Sequence, residues 1–247
     1  MGKQSAMALV FVLVFGVLTA AAGSETVKKD TIKTSVGNLE IAFLGHSSLM
    51  MTFRGKVIHF DPYGKVADYR KLPKADLIFV THDHNDHFDL AALQSIQHKD
   101  TVVILPPLCS EKVPEGWIVE NGEKLTVEGI EIEVLPAFNV VHKRANGQAY
   151  HPKGLGNGYV LTFGDKRIYV AGDTENIPEM KALKGIDCAF LPMSVPSTMT
   201  PEMVADAAKA FKPKLLYPYH YNETDPTRLT KLLSGTPGIE VRIRPLR

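Results

Sequence analysis

Between Thr31 and Phe60, β-favouring apolar residues gather in short runs, Leu39 to Leu44, Ser48 to Phe53 and Lys56 to Phe60, broken at Gly37-Asn38, Gly45 and Arg54-Gly55. Runs of this length bounded by glycine-containing turns predict hairpins. Asp76 to Thr81 is another short apolar run. Asp89 to Gln97 places Leu90, Leu93 and Ile96 at helical spacing. A second β block runs from Trp117 to Leu135 with a turn at Glu128-Gly129, and a third from Tyr159 to Val170 with a turn at Gly164-Asp165. Both read as β-meander.

After Asp173 the pattern alternates. Helices are predicted at Pro178 to Leu183, Pro201 to Phe211 and Pro226 to Leu233, and strands at Cys188 to Leu191, Leu215 to Pro218 and Val241 to Ile243. Thr200 can cap the second of these helices, with Pro201 at its first position. Meanders followed by strand–helix units predict an α/β fold of two sheets packed face to face with helices outside them. No internal repeat, linker or low-complexity tract stands out.

The N-terminus is set apart from this pattern. Lys3 precedes an apolar run of about 14 residues, Met7 to Ala20, and the small residues Ala20-Ala21-Ala22 follow. A charged start, a short apolar core and a small-residue site form a secretory signal peptide, residues 1–22. The run falls short of the roughly 20 residues that span a bilayer, so no stable membrane anchor is expected after cleavage. Residues 23–247 are then one exported domain, periplasmic or secreted, large enough for a full core.

Lys3 is the only charged residue removed, leaving 27 of the 28 basic residues against 27 acidic ones. A neutral chain has no footprint for nonspecific nucleic-acid binding. Cys109 and Cys188 lack CxxC spacing, which excludes a zinc ribbon or a redox pair. Export would permit a disulfide between them, but Cys188 lies in an apolar strand-like run and reads as a buried free thiol.

The chemistry concentrates in His82-Asp83-His84-Asn85-Asp86-His87, at the end of an apolar run. Three imidazoles and a carboxylate this close converge only where a strand gives way to a loop, because a strand would alternate them between faces. Such donors suit zinc, manganese or iron. HxHxDH after an apolar strand resembles the signature of the metallo-β-lactamase superfamily. That resemblance implies a four-layer αββα sandwich and a small-molecule hydrolase with two divalent transition-metal ions, zinc foremost. His82 and His84 would hold the first metal, and Asp86 and His87 the second. Asp173, in Ala171-Gly172-Asp173-Thr174, resembles the bridging aspartate, with Gly172 letting the backbone approach the metals. His220, in Tyr219-His220-Tyr221, resembles the last ligand of the second metal. Asp61 resembles a group that orients a ligand imidazole, or it caps the turn with Pro62; His46 resembles a residue at the site mouth, or it is a hydrogen-bonded loop histidine.

Leu44-Gly45-His46-Ser47-Ser48, Asp61-Pro62, Pro136-Ala137-Phe138-Asn139 and Tyr150-His151-Pro152-Lys153-Gly154 resemble the L-ascorbate-6-phosphate lactonase-like branch. The chain departs from the superfamily at Asn139, where relatives carry the third histidine of the first metal. His151 is the favoured substitute, His142 the alternative, and water the remaining one. Lys143, Arg144 and Lys153 flank this loop, either facing solvent or meeting an anionic substrate. His59 and His98 read as structural or exposed.

No Gly-x-Ser-x-Gly elbow and no P-loop offers another nucleophile. A water acidified between two metals would attack an ester-like bond in a lactone, thioester, lactam or phosphodiester, with Asp86 and Asp173 as the catalytic carboxylates. Phosphodiesterase or nuclease activity, and metal binding without turnover at a degenerate site, are the rival readings.

Overall fold

A computed structural model describes residues 1–2 and 27–247, so residues 3–22 of the expected signal peptide lie outside the described residues. The first half of the described chain forms β1 (Lys29–Thr34), β2 (Gly37–Gly45), β3 (Ser48–Phe53), β4 (Lys56–Phe60), β5 (Leu77–Phe79), β6 (Val102–Leu105) and β7 (Trp117–Ile118). They make one sheet in sequence order. The second half forms β8 (Lys124–Val127), β9 (Ile130–Ala137), β10 (Gly156–Phe163), β11 (Lys166–Val170), β12 (Cys188–Pro192), β13 (Leu215–Tyr219) and β14 (Glu240–Val241), again in sequence order.

The two halves share one topology. In each, four strands pair antiparallel and the last of them continues into three parallel neighbours. This duplication is invisible in the sequence, which shows no internal repeat. Two-residue hairpins close the meanders: Arg54-Gly55 joins β3 to β4 and Glu128-Gly129 joins β8 to β9. All four residues have positive φ, the conformation whose twist matches that of paired strands.

Side-chain alternation sorts the first sheet between two cores. Ile41, Phe43, Leu77 and Phe79 point into the space between the sheets, whereas Ala42, Leu44, Ile78 and Val80 face outward beneath α1 (Leu90–Ile96). Phe43 meets Tyr217 across the sheets at 5.2 Å between ring centroids, and Phe79 meets Tyr159 at 5.0 Å. The other outer layer consists of α2 (Pro178–Lys181), α3 (Pro201–Phe211) and α4 (Thr227–Leu233), the last two contributing Val204, Ala208, Phe211, Leu229 and Leu233 to the core. This is the expected αββα sandwich. The parallel strands β5, β12 and β13 are buried along their whole length, as strands covered on both faces must be.

Helix α3 begins as its sequence indicates, with Thr200 accepting from the Met203 N–H at 3.2 Å and Pro201 following. Asp89 caps α1 in the same way. Three details differ from expectation. Strand β6, a four-residue apolar run ending at Pro106-Pro107, is not among the predicted elements. Trp117–Ile118 pairs in parallel with β6 and so belongs to the first sheet, not to the β8–β9 meander. Gly172, at φ 66°, is required by its protein neighbours: a Cβ there would sit 2.7 Å from the Asn157 carbonyl oxygen and 3.0 Å from Thr81. Cys109 and Cys188 are both buried free thiols. Among the described residues no helix is long and apolar enough to cross a membrane.

Candidate metal centre

The cluster forms where both sheets present the C-terminal ends of parallel strands, the usual place for a ligand in such sheets. Past β5, the N–H groups of His87 and Phe88 both donate to the His84 carbonyl, at 3.0 and 2.8 Å. This tight turn lets the adjacent Asp86 and His87 join His82 and His84 in one cluster. Asn157 N–H donates to the Thr81 carbonyl at 2.8 Å, tying the run to β10. The segment after β11 is pinned to the end of β9, because Glu175 N–H and the Thr174 hydroxyl both donate to the Phe138 carbonyl. That sets Asp173 opposite the His82–His87 run, 3.5 Å from His87 Nε2. His220 follows β13 with its N–H on the His46 carbonyl at 3.1 Å. His46, Asp61 and His220 all have positive φ (53°, 44° and 48°), a strained conformation for side-chain-bearing residues that concentrates at functional sites.

The structure brings His82, His84 and His151 together in one set and Asp86, His87, His220 and His46 in another. Ligating atoms within each set lie within 4.8 Å of one another, and His82, His87 and Asp173 form a third such group across them. Asp173 lies between the sets. Its Oδ2 is 3.3 Å from His151 Nε2 and 3.5 Å from His220 Nε2, and its Oδ1 is 3.5 Å from His87 Nε2. Asp86 Oδ2 is 3.6 Å from His220 Nε2 and within hydrogen-bonding distance, 3.0 Å, of His46 Nε2.

A cation fits these donors. The Nε2 atoms of His82, His87, His151 and His220 and Oδ1 of Asp173 are buried with no hydrogen-bond partner. Leaving so many buried polar atoms unpaired is costly unless an ion satisfies them. The spacing agrees, since two donors each about 2.0–2.2 Å from a tetrahedral zinc lie roughly 3.4 Å apart.

Protonation points the same way. Burial holds the His82, His84 and His46 imidazoles below their ordinary range, neutral and able to donate a lone pair. Burial also opposes a charge on His87, but the surrounding Asp173, Asp61 and Asp86 carboxylates outweigh it and push that imidazole up to about 9. Burial pushes the Asp173 and Asp86 carboxyls upward, and the neighbouring imidazoles more than offset it, leaving both well below the usual carboxylate range. The pocket therefore holds ionised carboxylates that call for positive charge. Metal binding would displace the His87 proton.

A layer of hydrogen bonds aims the imidazoles. Asp61, fully buried, has Oδ2 2.7 Å from His87 Nδ1 and accepts from the Thr81 N–H and hydroxyl at 2.8 Å each. The Thr81 hydroxyl also lies 3.0 Å from His82 Nδ1, so one carboxylate orients two imidazoles. Asn139 does not reach the cluster as a donor. Its Oδ1 accepts from both the main-chain N–H and the ring Nδ1 of His151, at 2.8 Å each. His142 stands apart, with Nδ1 2.7 Å from Glu175 Oε1. Thr81 and Glu175 were not anticipated from the sequence; a side chain beside a recognised motif residue was the only available signal.

The remaining sequence candidates lie outside. Lys143, Arg144 and Lys153 are exposed, Arg144 stacking on Tyr150 and Lys153 lying 3.5 Å from Glu179. His59 is buried against the Pro73 carbonyl, where burial pushes it down to about 4, and His98 is exposed. A small cavity of ≈ 30 Å³ at the cluster is walled by Ala137, Tyr150, Pro152 and Leu155. An open groove of ≈ 700 Å³, lined by Tyr63, Lys65, Phe88 and Lys112, reaches Asn85 beside it.

Residues 40–220 match the model of the beta-lactamase superfamily domain. A protein named metal-dependent hydrolase from Pelotomaculum thermopropionicum is 30% identical over 223 residues, covering 83% of this chain and 96% of that one. The crystal structure of a candidate metal-dependent hydrolase from Parabacteroides distasonis superposes with a TM-score of 0.86 at 45% identity, over 90% of this chain and 100% of that one. A metallo hydrolase from Ignicoccus hospitalis shares the fold, with a TM-score of 0.70 at 23% identity over 84% of this chain and 95% of that one. With its buried His/Asp cluster, the chain belongs to the metal-dependent hydrolases of the metallo-β-lactamase superfamily.

Proposed function

We propose that the cluster holds two divalent transition-metal ions, zinc foremost and manganese or iron as alternatives, and that the chain hydrolyses an ester-like bond in a small molecule. One observation carries this reading: Asp173 stands between two sets of unpaired imidazole nitrogens, within 3.3–3.5 Å of His151, His87 and His220. His82, His84 and His151 would serve one ion, Asp86, His87 and His220 the other, and Asp173 both. The absence of thiolate from the cluster favours metals content with nitrogen and oxygen. Bound ions would supply Lewis acidity to the substrate oxygen and bring a water's acidity near neutrality.

The chain's own groups do the rest. Asp61 and Asn139 accept from ring Nδ1 atoms, which leaves the Nε2 lone pairs of His87 and His151 aimed inward. His46 steadies Asp86. Asp86 is the more open catalytic carboxylate, its side chain 38% exposed against 4% for Asp173, which suits it to carry a proton between site and solvent.

A small substrate is supported by what surrounds the mouth. Val140 and Val141, in the loop that supplies His151, are exposed, 55% and 66%, and Lys153 is engaged with Glu179. A nucleic acid would need a continuous basic stripe, and the chain without residues 1–22 is neutral. The substrate classes are lactone, thioester, lactam and phosphodiester. A panel of these four, assayed with metal-replete and chelator-treated protein, decides among them; turnover that survives metal removal would contradict the proposal. We further propose export directed by residues 1–22.

A further inference from the structure

The carboxylate of Glu175 is completely buried, and the cluster has no direct use for it. It nevertheless accepts four hydrogen bonds from the loop that supplies His151. Main-chain N–H groups of Val140 and Val141 donate to Oε2 at 2.7 and 2.6 Å, and that of His142 donates to Oε1 at 2.8 Å. The Asn139 carboxamide donates to Oε1 at 3.1 Å. Three successive main-chain N–H groups curled around an anion form a nest, and a neutral side chain could not accept from all of them.

The Asn139 carboxamide can sit only one way round. Its Nδ2 faces two acceptors, Glu175 and the Ser197 carbonyl at 2.9 Å, and its Oδ1 faces the main-chain N–H of His151. Oδ1 must then accept from His151 Nδ1 as well, which places a ring proton on Nδ1 and aims Nε2 at Asp173. The chain Glu175–Asn139–His151 thus fixes both the Nδ1 proton and the direction of one imidazole. Glu175 lies two residues after Asp173, so one short segment supplies the central carboxylate and the group that aims His151 at it.

We propose that Glu175 is a positioning residue, acting through Asn139, for the subsite made by His82, His84 and His151. This rests on His151 being a metal donor, but its core claim concerns the imidazole itself and is testable without metal. In the metal-free chain at pH 8, the side-chain ¹⁵N spectrum of His151 should show Nδ1 protonated and hydrogen-bonded, whatever the state of Nε2 beside Asp173. Glu175→Gln and Asn139→Ala should each shift the proton population away from Nδ1. In zinc titrations against a competing chelator, each variant should weaken one of two equivalents at least 10-fold, roughly the loss expected for an outer partner of a ligand. The other equivalent should hold.

Because the two residues act in series, the double variant should lose no more affinity than either single one; independent structural effects would add. Should the Gln variant not fold, Glu175→Asp, which keeps the charge, takes its place in the cycle. An unchanged proton population on His151 Nδ1 in the variants, equal weakening of both equivalents, or additive losses would overturn the proposal. A parent chain that binds no zinc would defeat the dinuclear reading instead, and the ¹⁵N measurement would still decide the role of Glu175.

Discussion

Asn139 Oδ1 lies 2.8 Å from His151 Nδ1, so Asn139 holds the imidazole that stands in the cluster with His82 and His84. The loop from Asn139 to His151 returns on itself, with Asn139 N–H donating to the His151 carbonyl at 2.8 Å. It thereby brings the imidazole from twelve residues downstream beside His82 and His84. His151→Ala removes a donor of the cluster, whereas His142→Ala removes only a neighbour of Glu175. In metal titrations the first should lose affinity by at least 10 to 100-fold, and the second should remain near the parent value. The reverse order would show that the loop supplies its first histidine instead.

Asp61→Ala tests the carboxylate that serves two imidazoles. The change leaves the buried Thr81 N–H without an acceptor, which costs about 1–3 kcal/mol of stability. It also frees His87 and His82 from their shared anchor, so metal affinity should fall by roughly 10 to 100-fold. Thermal unfolding of the metal-free form separates the two effects. A variant with parental stability and parental affinity would leave Asp61 without a role.

The parts of the site legible in the sequence were those in which several donors are neighbours along the chain. His82 to His87 declares itself because so dense a cluster has few purposes, and the two sheets because their hairpin turns, Arg54-Gly55 and Glu128-Gly129, carry their own conformational signature. Glu175 and Thr81 were illegible because their value is set at a distance. Glu175 matters only once the β9 end folds over it, and Thr81 only once Asp61 is pressed against it. Strand β6 is four residues inside an apolar sheet and offers no alternation to read. Trp117–Ile118 carries a strand signal but no sign of which sheet it joins, since the parallel partner that decides this lies more than ten residues back.

Acid should loosen the edge strand β1 through Asp30, which accepts from Tyr217 and Arg244. Burial raises its carboxyl pKa, but hydrogen bonds from Tyr217 and Arg244 and the charges of Arg244 and Arg242 prevail, leaving it lowered from 3.8. A carboxyl whose pKa is lower when folded contributes stability that is complete above its unfolded value and lost as pH falls through the folded one. Asp30→Asn should therefore destabilise the chain at pH 7, and the gap to the parent should narrow below about pH 4. Denaturant unfolding at pH 7 and pH 3 measures it; an equal gap at both would contradict the assignment.

Export predicts that protein isolated from its native host begins after about Ala22, with Lys3 absent. N-terminal sequencing settles the matter, and an intact Met1 or Lys3 would refute export with cleavage.

The dinuclear assignment is tested most directly by elemental analysis of the gently purified parent beside Asp173→Ala. Asp173 faces imidazoles of both sets through its two oxygens, so its loss should empty both positions together. The expected result is close to two equivalents of transition metal per parent chain and a loss of both in the variant. Full metal content in Asp173→Ala, or a parent that never exceeds one equivalent, would contradict it.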